Sequence, residues 1–208
     1  YDLPNTVDKN SLVVVTSVSG NTVEALSILE QTIHLECNVI AVSAGGKIEK
    51  ICNDKNIEYR KIKEHNSPRA SLVSFVYSML KILKFIIPIK EEEINQSIKN
   101  LKELEDEISS NNLTDSNKAL SLAKEISGIP LIYYPWGLEA AGIRFKNSLQ
   151  ENAKMHAMVE DVVEASHNGI VAWEKKSNVF PILLQGDDDN IKTKERWKVL
   201  KIYFKENN

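Results

Sequence analysis

Two apolar runs, each leading into polar residues and then into a helix, most strongly constrain how this chain can fold. "SLVVVTS" (11–17) and "CNVIAVSA" (37–44) are rich in β-branched residues and do not alternate with polar ones. Such runs are typical of strands that are buried on both faces of a parallel sheet. The segment between them carries apolar residues three and four positions apart, from Val23 to Ile33. Strand, helix and strand in this order predict a parallel α/β sheet.

The rest of the first half continues this order. A short helix (47–55) leads to a third strand (58–62), and an apolar helix over 70–87 is expected between two prolines. Residues 90–108 then form an amphipathic helix, because their apolar residues lie on one stripe and charged residues cover the other faces. The polar stretch 109–117 is typical of a domain boundary.

The second half repeats the pattern without a readable sequence repeat. Strands are predicted at 129–135, 169–174 and 179–185, with helices over 115–127 and 137–155. Each half offers about three strands, fewer than the four to six usual in a sheet, so both sheets are expected to be incomplete.

The predicted fold class is therefore α/β, with two parallel-sheet subdomains joined by a helical connector. The expected boundaries are 1–88 for the first subdomain, 89–114 for the connector and 115–208 for the second subdomain.

Charge and cysteine content exclude several classes of protein. The net charge of -3 argues against a sequence-independent nucleic-acid binder, which would be strongly basic. The apolar run 71–89 carries Lys81 and Lys84 and is short for a bilayer span, so no membrane partner is expected. Cys37 and Cys52 lack a paired spacing, which favours core thiols in a reducing compartment and a cytoplasmic location.

The junction "TSVSGNTVEA" (16–25) is the strongest candidate binding site. The first N–H groups of a helix lack partners within the helix and lie at the positive end of its dipole. Gly20 permits a tight turn, Asn21 can cap, and three hydroxyls are available from Ser17, Ser19 and Thr22. This pattern favours a phosphate site, and the alternative is a well-capped helix start.

The same stretch resembles a known family signature. "SVSGNTVE" is similar to the S-x-S-G-N-T-x-E motif of sugar isomerase (SIS) domains. The resemblance implies a five-stranded parallel sheet flanked by helices, with Ser17, Ser19 and Thr22 holding the phosphate of a phosphosugar. "VSAGG" (42–46) is similar to the family's second loop at a strand end, which adds Gly45 and Gly46 to the site.

Two further segments resemble one branch of this family, the bifunctional phosphoglucose/phosphomannose isomerases. Residues 147–174 are similar to its N-E-N-A-K and H-N-x-I-x-x-W-E motifs, although Gln150 replaces an asparagine. The resemblance implies that Glu151 is the catalytic base and that His167 acts on the sugar ring. "SPRASL" is similar to the family's P-R segment and implies that Arg69 lies beside the reacting carbons.

The implied reaction interconverts glucose 6-phosphate, and in some relatives mannose 6-phosphate, with fructose 6-phosphate through a cis-enediolate. A carboxylate moves the proton between C1 and C2, an arginine stabilises the enediolate, and an imidazole assists ring opening. No cofactor is required, and no His, Cys, Asp or Glu group has metal-ligand spacing; "GDDDN" (186–190) is interpreted as a polar turn. From the residues alone, Glu151 at a solvated helix end, His167 in a turn and Arg69 at the surface remain alternatives.

The family resemblance also implies a homodimer in which His167 reaches the site from the partner subunit. Family members carry a further phosphate loop before the position of Tyr1 and a lysine-bearing helix after that of Asn208, so we expect a fragment or a shortened relative. Two alternatives to an isomerase are a non-catalytic phosphosugar-binding module and a dimerisation scaffold with an empty loop.

Overall fold

A computed structural model describes residues 1–207 and divides the chain into two compact units. Unit 1 comprises Tyr1–Asn100, and unit 2 begins at Leu101. The boundary lies inside the helix that the sequence identifies as a connector. The subdomain limits 1–88 and 115–208 stay predictions, and each unit is described by itself.

Unit 1 is built on a three-stranded parallel sheet with the strand order β1-β2-β3. A 3₁₀ turn, Pro68–Ser71, precedes its third helix. The elements of this unit are β1 (Leu12–Ser17), α1 (Val23–Leu35), β2 (Asn38–Ser43), α2 (Gly46–Lys55), β3 (Glu58–Lys61) and α3 (Leu72–Leu83). The helix α4 (Glu91–Ile108) contains the boundary between the two units.

The core of unit 1 forms where the two helices α1 and α2 pack on the sheet. Val15 and Ala41 come from the strands and are 3% and 0% exposed, and Leu29 and Ile48 come from the helices and are fully buried. Burying side chains of this size stabilises the unit by about 1.5–3 kcal/mol for each large one. The register pairs Ser17 with Ser43, so β1 and β2 end side by side.

Unit 2 contains a second three-stranded parallel sheet, with the order β5-β4-β6. A π-helical turn, Leu149–Ala153, and a 3₁₀ segment, Gly169–Glu174, interrupt its regular elements. These elements are α5 (Lys118–Glu125), β4 (Ile129–Tyr134), α6 (Glu139–Ser148), β5 (Met158–Asp161), α7 (Val162–Ala165), β6 (Val179–Leu183) and α8 (Ile191–Asn207).

The core of unit 2 is aromatic. The Phe204 ring stacks on Tyr133 with centroids 5.4 Å apart and contacts Trp173 at 4.6 Å. The indole Nε1 of Trp173 donates to the Tyr133 hydroxyl at 2.9 Å. Burial raises the pKa of Tyr133 to about 12, so the phenol stays neutral and is paired rather than left unsatisfied in the core.

The α/β class with two parallel-sheet units is confirmed, but one predicted strand is wrong. Residues 169–174 form a 3₁₀ segment and not a strand. Both edges of β4 are already occupied by β5 and β6, and the segment instead places Trp173 in the core. The strand beside β4 is Met158–Asp161, which the sequence analysis missed because only its first two residues are apolar.

Within residues 1–207, none of the helices combines the length and the apolar character that crossing a bilayer requires. Both cysteines are free; Cys52 is buried and Cys37 is partly buried. Burial raises the pKa of the Cys52 thiol, as expected for a thiol in a core.

Candidate active site

The predicted phosphate loop is the turn from β1 into α1. Ser17 ends the strand, is 7% exposed, and its Oγ lies 2.8 Å from the Thr22 Oγ1. The Gly20 amide also donates to the Ser17 Oγ at 3.1 Å. Ser17 therefore fixes the inside of the turn, and its hydroxyl links the strand end to the residue that begins the helix.

The N-cap residue of α1 makes no side-chain capping hydrogen bond in the part of the chain that the structure describes. Thr22 is the N-cap residue, with extended backbone angles of φ -63° and ψ 123°, yet its hydroxyl contacts Ser17 and caps no helical amide. Ser19 is exposed, and its Oγ accepts from the Asn21 amide at 3.2 Å, so its proton is available to a ligand. A helix start of this kind, with a hydroxyl beside it, suits an anion.

The β1–α1 loop packs closely against the β2–α2 loop at two glycines. Gly20 has φ +65°, and a Cβ there would lie 1.7 Å from the Gly45 carbonyl oxygen. Gly46 has φ +77°, and a Cβ there would lie 2.2 Å from the Ser19 carbonyl oxygen. The two loops thus meet backbone to backbone, and side chains at these positions would force them apart.

Hydrogen bonds connect the same two loops. The Ile48 amide donates to the Gly20 carbonyl at 3.0 Å, and the Lys47 amide donates to the Asn21 Oδ1 at 3.1 Å. The Asn21 Nδ2 donates to the Ser19 carbonyl at 3.0 Å. Asn21 therefore caps α2 from the neighbouring loop, a role that its place ahead of α1 does not reveal.

Sequence reasoning missed two residues that support this site. The Ser43 Oγ is 2.8 Å from the Gly45 carbonyl oxygen, and the Gly45 amide lies 3.2 Å from the same Oγ. The Tyr59 hydroxyl donates to the Ser43 carbonyl at 3.0 Å. The position of Ser43 in the sequence could have identified it. Ser43 ends β2 just as Ser17 ends β1, the two serines are paired in the parallel sheet, and both are buried.

Replacing Asn21 tests whether this cross-loop cap matters. We expect Asn21→Ala to lower the free energy of unfolding of unit 1 by about 1 kcal/mol, since the Lys47 amide loses its acceptor. Asn21→Asp keeps that acceptor, so most of the stability should remain, while the added charge weakens phosphosugar binding. Urea unfolding and calorimetric titration of the two variants measure this difference. Equal stability of Asn21→Ala and the unmodified chain would contradict the role.

Glu151 lies in the π-helical turn that follows α6. The turn ends at Lys154, whose φ is +56° and whose Nζ donates to the Glu151 carbonyl at 2.6 Å. The Glu151 side chain is exposed. π-helical turns are rare and occur often at functional sites because they re-aim one side chain.

His167 follows the one-turn helix α7 and is exposed. The Asp161 Oδ1 caps this helix by accepting from the Val163 and Glu164 amides at 2.8 and 3.1 Å. The His167 amide donates to the Glu164 carbonyl at 2.9 Å, and the Asn168 side chain donates to the Glu164 carboxylate. The backbone that carries the imidazole is therefore held at several points.

Gly169, two residues after His167, lies close to the carboxylate of Glu160. A Cβ at Gly169 would lie 2.8 Å from the Glu160 Oε2, so the absence of a side chain makes room for Glu160. Burial, followed by the charges of Glu164 and Asp161, raises the pKa of Glu160. Three carboxylates thus lie near the His167 segment.

Arg69 lies in the 3₁₀ turn Pro68–Ser71 and is exposed. The Ser67 backbone before it is extended, as expected for a residue that precedes proline. Ser71 at the end of the turn is fully buried.

The structure therefore groups the predicted residues by unit. Unit 1 brings together the loop residues and also carries Arg69, whereas Glu151 and His167 belong to unit 2. The loop residues that meet are Ser17, Ser19, Gly20, Asn21, Thr22, Gly45 and Gly46. Their catalytic and binding roles stay predictions.

Among residues 1–207, no three His, Cys, Asp or Glu side chains are grouped so that they could hold a metal ion. The acidic turn "GDDDN" has a structural contact instead. The Asp189 Oδ2 accepts from the Trp197 Nε1 at 2.8 Å, and Trp197 is 3% exposed.

Comparison with known proteins gives consistent results for sequence and fold. The family model of the "Bacterial phospho-glucose isomerase C-terminal SIS domain" matches residues 115–208. A bifunctional phosphoglucose/phosphomannose isomerase from Caldicellulosiruptor bescii is 29% identical over 199 residues, covering 92% of this chain and 59% of the relative. The enzyme of that name from Aquifex aeolicus is 28% identical, covering 97% of this chain and 61% of the relative.

A solved structure supports the fold. Glucosamine-6-phosphate deaminase from Thermotoga maritima superposes with a TM-score of 0.72 at 11% identity, over 97% of this chain and 60% of that one. At this identity the likeness concerns the fold alone. The chain spans about 60% of the length of the curated relatives that it matches.

Proposed function

We propose that the chain is a member of the bifunctional phosphoglucose/phosphomannose isomerase family of SIS-domain proteins, to which it is similar in sequence, and that it carries the site of an aldose–ketose isomerase. The substrates are glucose 6-phosphate and fructose 6-phosphate, with mannose 6-phosphate as a further substrate. The observation that carries the proposal is the uncapped start of α1 beside the hydroxyls of Ser17, Ser19 and Thr22.

Phosphate recognition rests on backbone and hydroxyl groups. The ester oxygens accept from the first amides of α1 and from the Ser19 and Thr22 hydroxyls, so a dianion is bound without a lysine in the loop. The contact of Gly20 with Gly45 keeps the loop rigid before substrate binds, which lowers the entropy cost of ordering it.

Proton transfer is assigned to Glu151. Its carboxylate removes the proton from C2 of the aldose, and the electron pair forms the C1–C2 double bond of a cis-enediolate. The proton of the O2 hydroxyl moves to O1, and the same carboxyl returns the carbon-bound proton to C1, which yields the ketose. One base on one face of the enediolate is sufficient for both steps.

The remaining roles concern charge and ring opening. The Arg69 guanidinium stabilises the negative charge that develops on the enediolate oxygen. The His167 imidazole transfers a proton at the ring oxygen and opens the cyclic sugar. We propose a homodimer in which the imidazole comes from the partner subunit, as the family resemblance implies; the hydrogen bonds around Asp161 and Glu164 support a histidine presented on a fixed loop.

Binding of fructose 6-phosphate tests the phosphate loop. We expect this ligand to raise the melting temperature of the chain in a concentration-dependent way, because ligand binding to the folded state stabilises it, and we expect unphosphorylated fructose to have no such effect. Ser19→Ala should weaken the affinity by roughly five- to ten-fold, since one hydroxyl donor to a charged group is lost. Equal shifts with fructose and fructose 6-phosphate would contradict a phosphate site.

A direct assay of the protein measures isomerisation. Conversion of fructose 6-phosphate to glucose 6-phosphate supports the proposal. Stabilisation by the ligand without conversion would favour the non-catalytic binding module instead.

A further inference from the structure

The indole of Trp136 is a feature of unit 2 that the isomerase reaction does not use. The residue is 94% exposed and lies in a tight turn, in which the Leu138 amide donates to the Pro135 carbonyl at 3.0 Å. Gly137 has φ +89°, and a Cβ there would meet no atom within 4 Å. Glycine is therefore needed for the backbone of the turn and not for packing, and the turn holds the indole outward.

The turn lies at a position where parallel α/β sheets bind ligands. It follows the carboxyl end of β4, the middle strand of its sheet, and precedes α6. Ligands of such sheets bind outside the carboxyl ends of the strands. Glu151 is twelve residues beyond Glu139, at the other end of α6 and the π-helical turn, which places the two about 18 Å apart along the helix.

Trp136 is one of the residues that line a cavity of about 410 Å³ that is open to solvent. Its polar side chains are carboxylates and one phenol, and it has none of the serine and threonine hydroxyls that line the phosphate loop of unit 1. The residues that line it are Tyr134, Trp136, Gly137, Glu139, Ala140 and Asp161.

The electrostatics of this cavity favour a cation. Asp161 caps α7 through Oδ1, and neither capping bond involves Oδ2. Burial raises the pKa of Tyr134, and the negative charges of Glu139 and Asp161 raise it further. A phosphate group would be repelled here, whereas an ammonium group would be attracted.

We propose that the cavity binds a small organic cation with an apolar ring face, of the kind that a protonated amino sugar presents. The ring stacks on Trp136, where the indole face also attracts the positive charge. The ammonium group lies toward the carboxylates of Glu139 and Asp161, and the ring hydroxyls donate to the same oxygens. The residues of this site all belong to unit 2, and the proposal does not depend on the proposed isomerase activity.

Three related sugars test the charge preference: D-glucosamine as a cation, D-glucose as a neutral ring and glucose 6-phosphate as an anion. We expect glucosamine to change the fluorescence of Trp136, because Trp173 and Trp197 are buried at 5% and 3% exposure. Its affinity should exceed that of glucose by about five-fold or more, as expected for a cation–π contact with a nearby carboxylate. Glucose 6-phosphate should leave the Trp136 signal unchanged.

Calorimetric titration of variants of the full chain assigns the residues. Trp136→Ala should weaken glucosamine binding by about ten-fold, and Trp136→Phe should restore most of it, since phenylalanine keeps an aromatic face. Glu139→Gln should reduce the preference for glucosamine over glucose to less than about two-fold. Glu151→Gln is the control that separates this site from the proposed isomerase site, and it should bind glucosamine as the unmodified chain does.

Several results would overturn the proposal. They are equal binding of glucose and glucosamine, absence of glucosamine binding, and unchanged binding by Trp136→Ala. A change in oligomeric state on Trp136→Ala, with glucosamine binding retained, would assign the indole to a subunit contact instead.

Discussion

Glu151→Gln is expected to reduce aldose–ketose isomerisation by at least about 10²-fold while fructose 6-phosphate still binds. The amide has the shape of the carboxyl group but cannot accept the C2 proton, and a positioned general base contributes about 10²- to 10⁴-fold. The loss should fall on kcat, because the phosphate loop belongs to a different unit of the chain. More than a tenth of the original rate would be incompatible with Glu151 as the base.

Solvent exchange gives a second readout of the same step. A proton carried by the Glu151 carboxyl exchanges with water, so turnover of fructose 6-phosphate in D₂O should introduce deuterium at C2 of the glucose 6-phosphate that forms. Glu151→Gln should abolish this incorporation together with turnover. Glu125→Gln is the matched control, since Glu125 is also an exposed glutamate of unit 2 and lies at the end of α5. It should change neither the rate nor the exchange.

The sequence predicts the fold well where local pattern and tertiary environment agree. "LVVV" and "NVIAV" form β1 and β2 because uninterrupted β-branched runs favour strands of a parallel sheet, although Leu12 and Thr16 of β1 stay exposed. The apolar residues three and four positions apart between Val23 and Ile33 form α1 for a different reason, because they give the helix one face that packs on the sheet. These elements are also the ones that position the phosphate loop.

Prediction failed where non-local contacts decide the conformation. "GIVAWE" has strand propensity, but Trp173 is needed in the aromatic core and no edge of β4 remains for it. "MVED" has little strand propensity and becomes β5 because it pairs with β4. Strand propensity depends strongly on such context, so single-sequence patterns do not separate these two segments.

The candidate site shows the same division. The hydroxyls of the β1–α1 loop were identifiable because a strand end, a glycine and a helix start are adjacent in sequence. The cap that Asn21 provides for α2 could not be identified from the sequence. Its side chain accepts a hydrogen bond from the Lys47 amide, and these two residues are 26 positions apart. The π-helical turn at Glu151 was also hidden, since its sequence continues the helical pattern of α6.

Gly20→Ala is expected to be the most destabilising single substitution in the phosphate loop. The new Cβ would lie 1.7 Å from the Gly45 carbonyl oxygen, and the φ of +65° is unfavourable for alanine. The atom in the way belongs to the Gly45 backbone, which cannot rotate aside as a flexible side chain can. The two loops must therefore move apart to accommodate the new Cβ. We expect the free energy of unfolding of unit 1 to fall by roughly 3 kcal/mol or more, combining overpacking with backbone strain.

Gly45→Ala separates the two causes of this loss, because Gly45 also has a positive φ, of +151°, but its Cβ would meet only the Glu49 Oε2 at 3.4 Å. It should therefore cost only the conformational part, about 1–2 kcal/mol. Urea unfolding of both variants measures the difference, and titration with fructose 6-phosphate should show the larger loss of affinity for Gly20→Ala. The two loops form one rigid anion site only if the substitutions differ in this way. Equal losses would mean that Gly20 serves the turn alone and that the contact between the loops carries no stability.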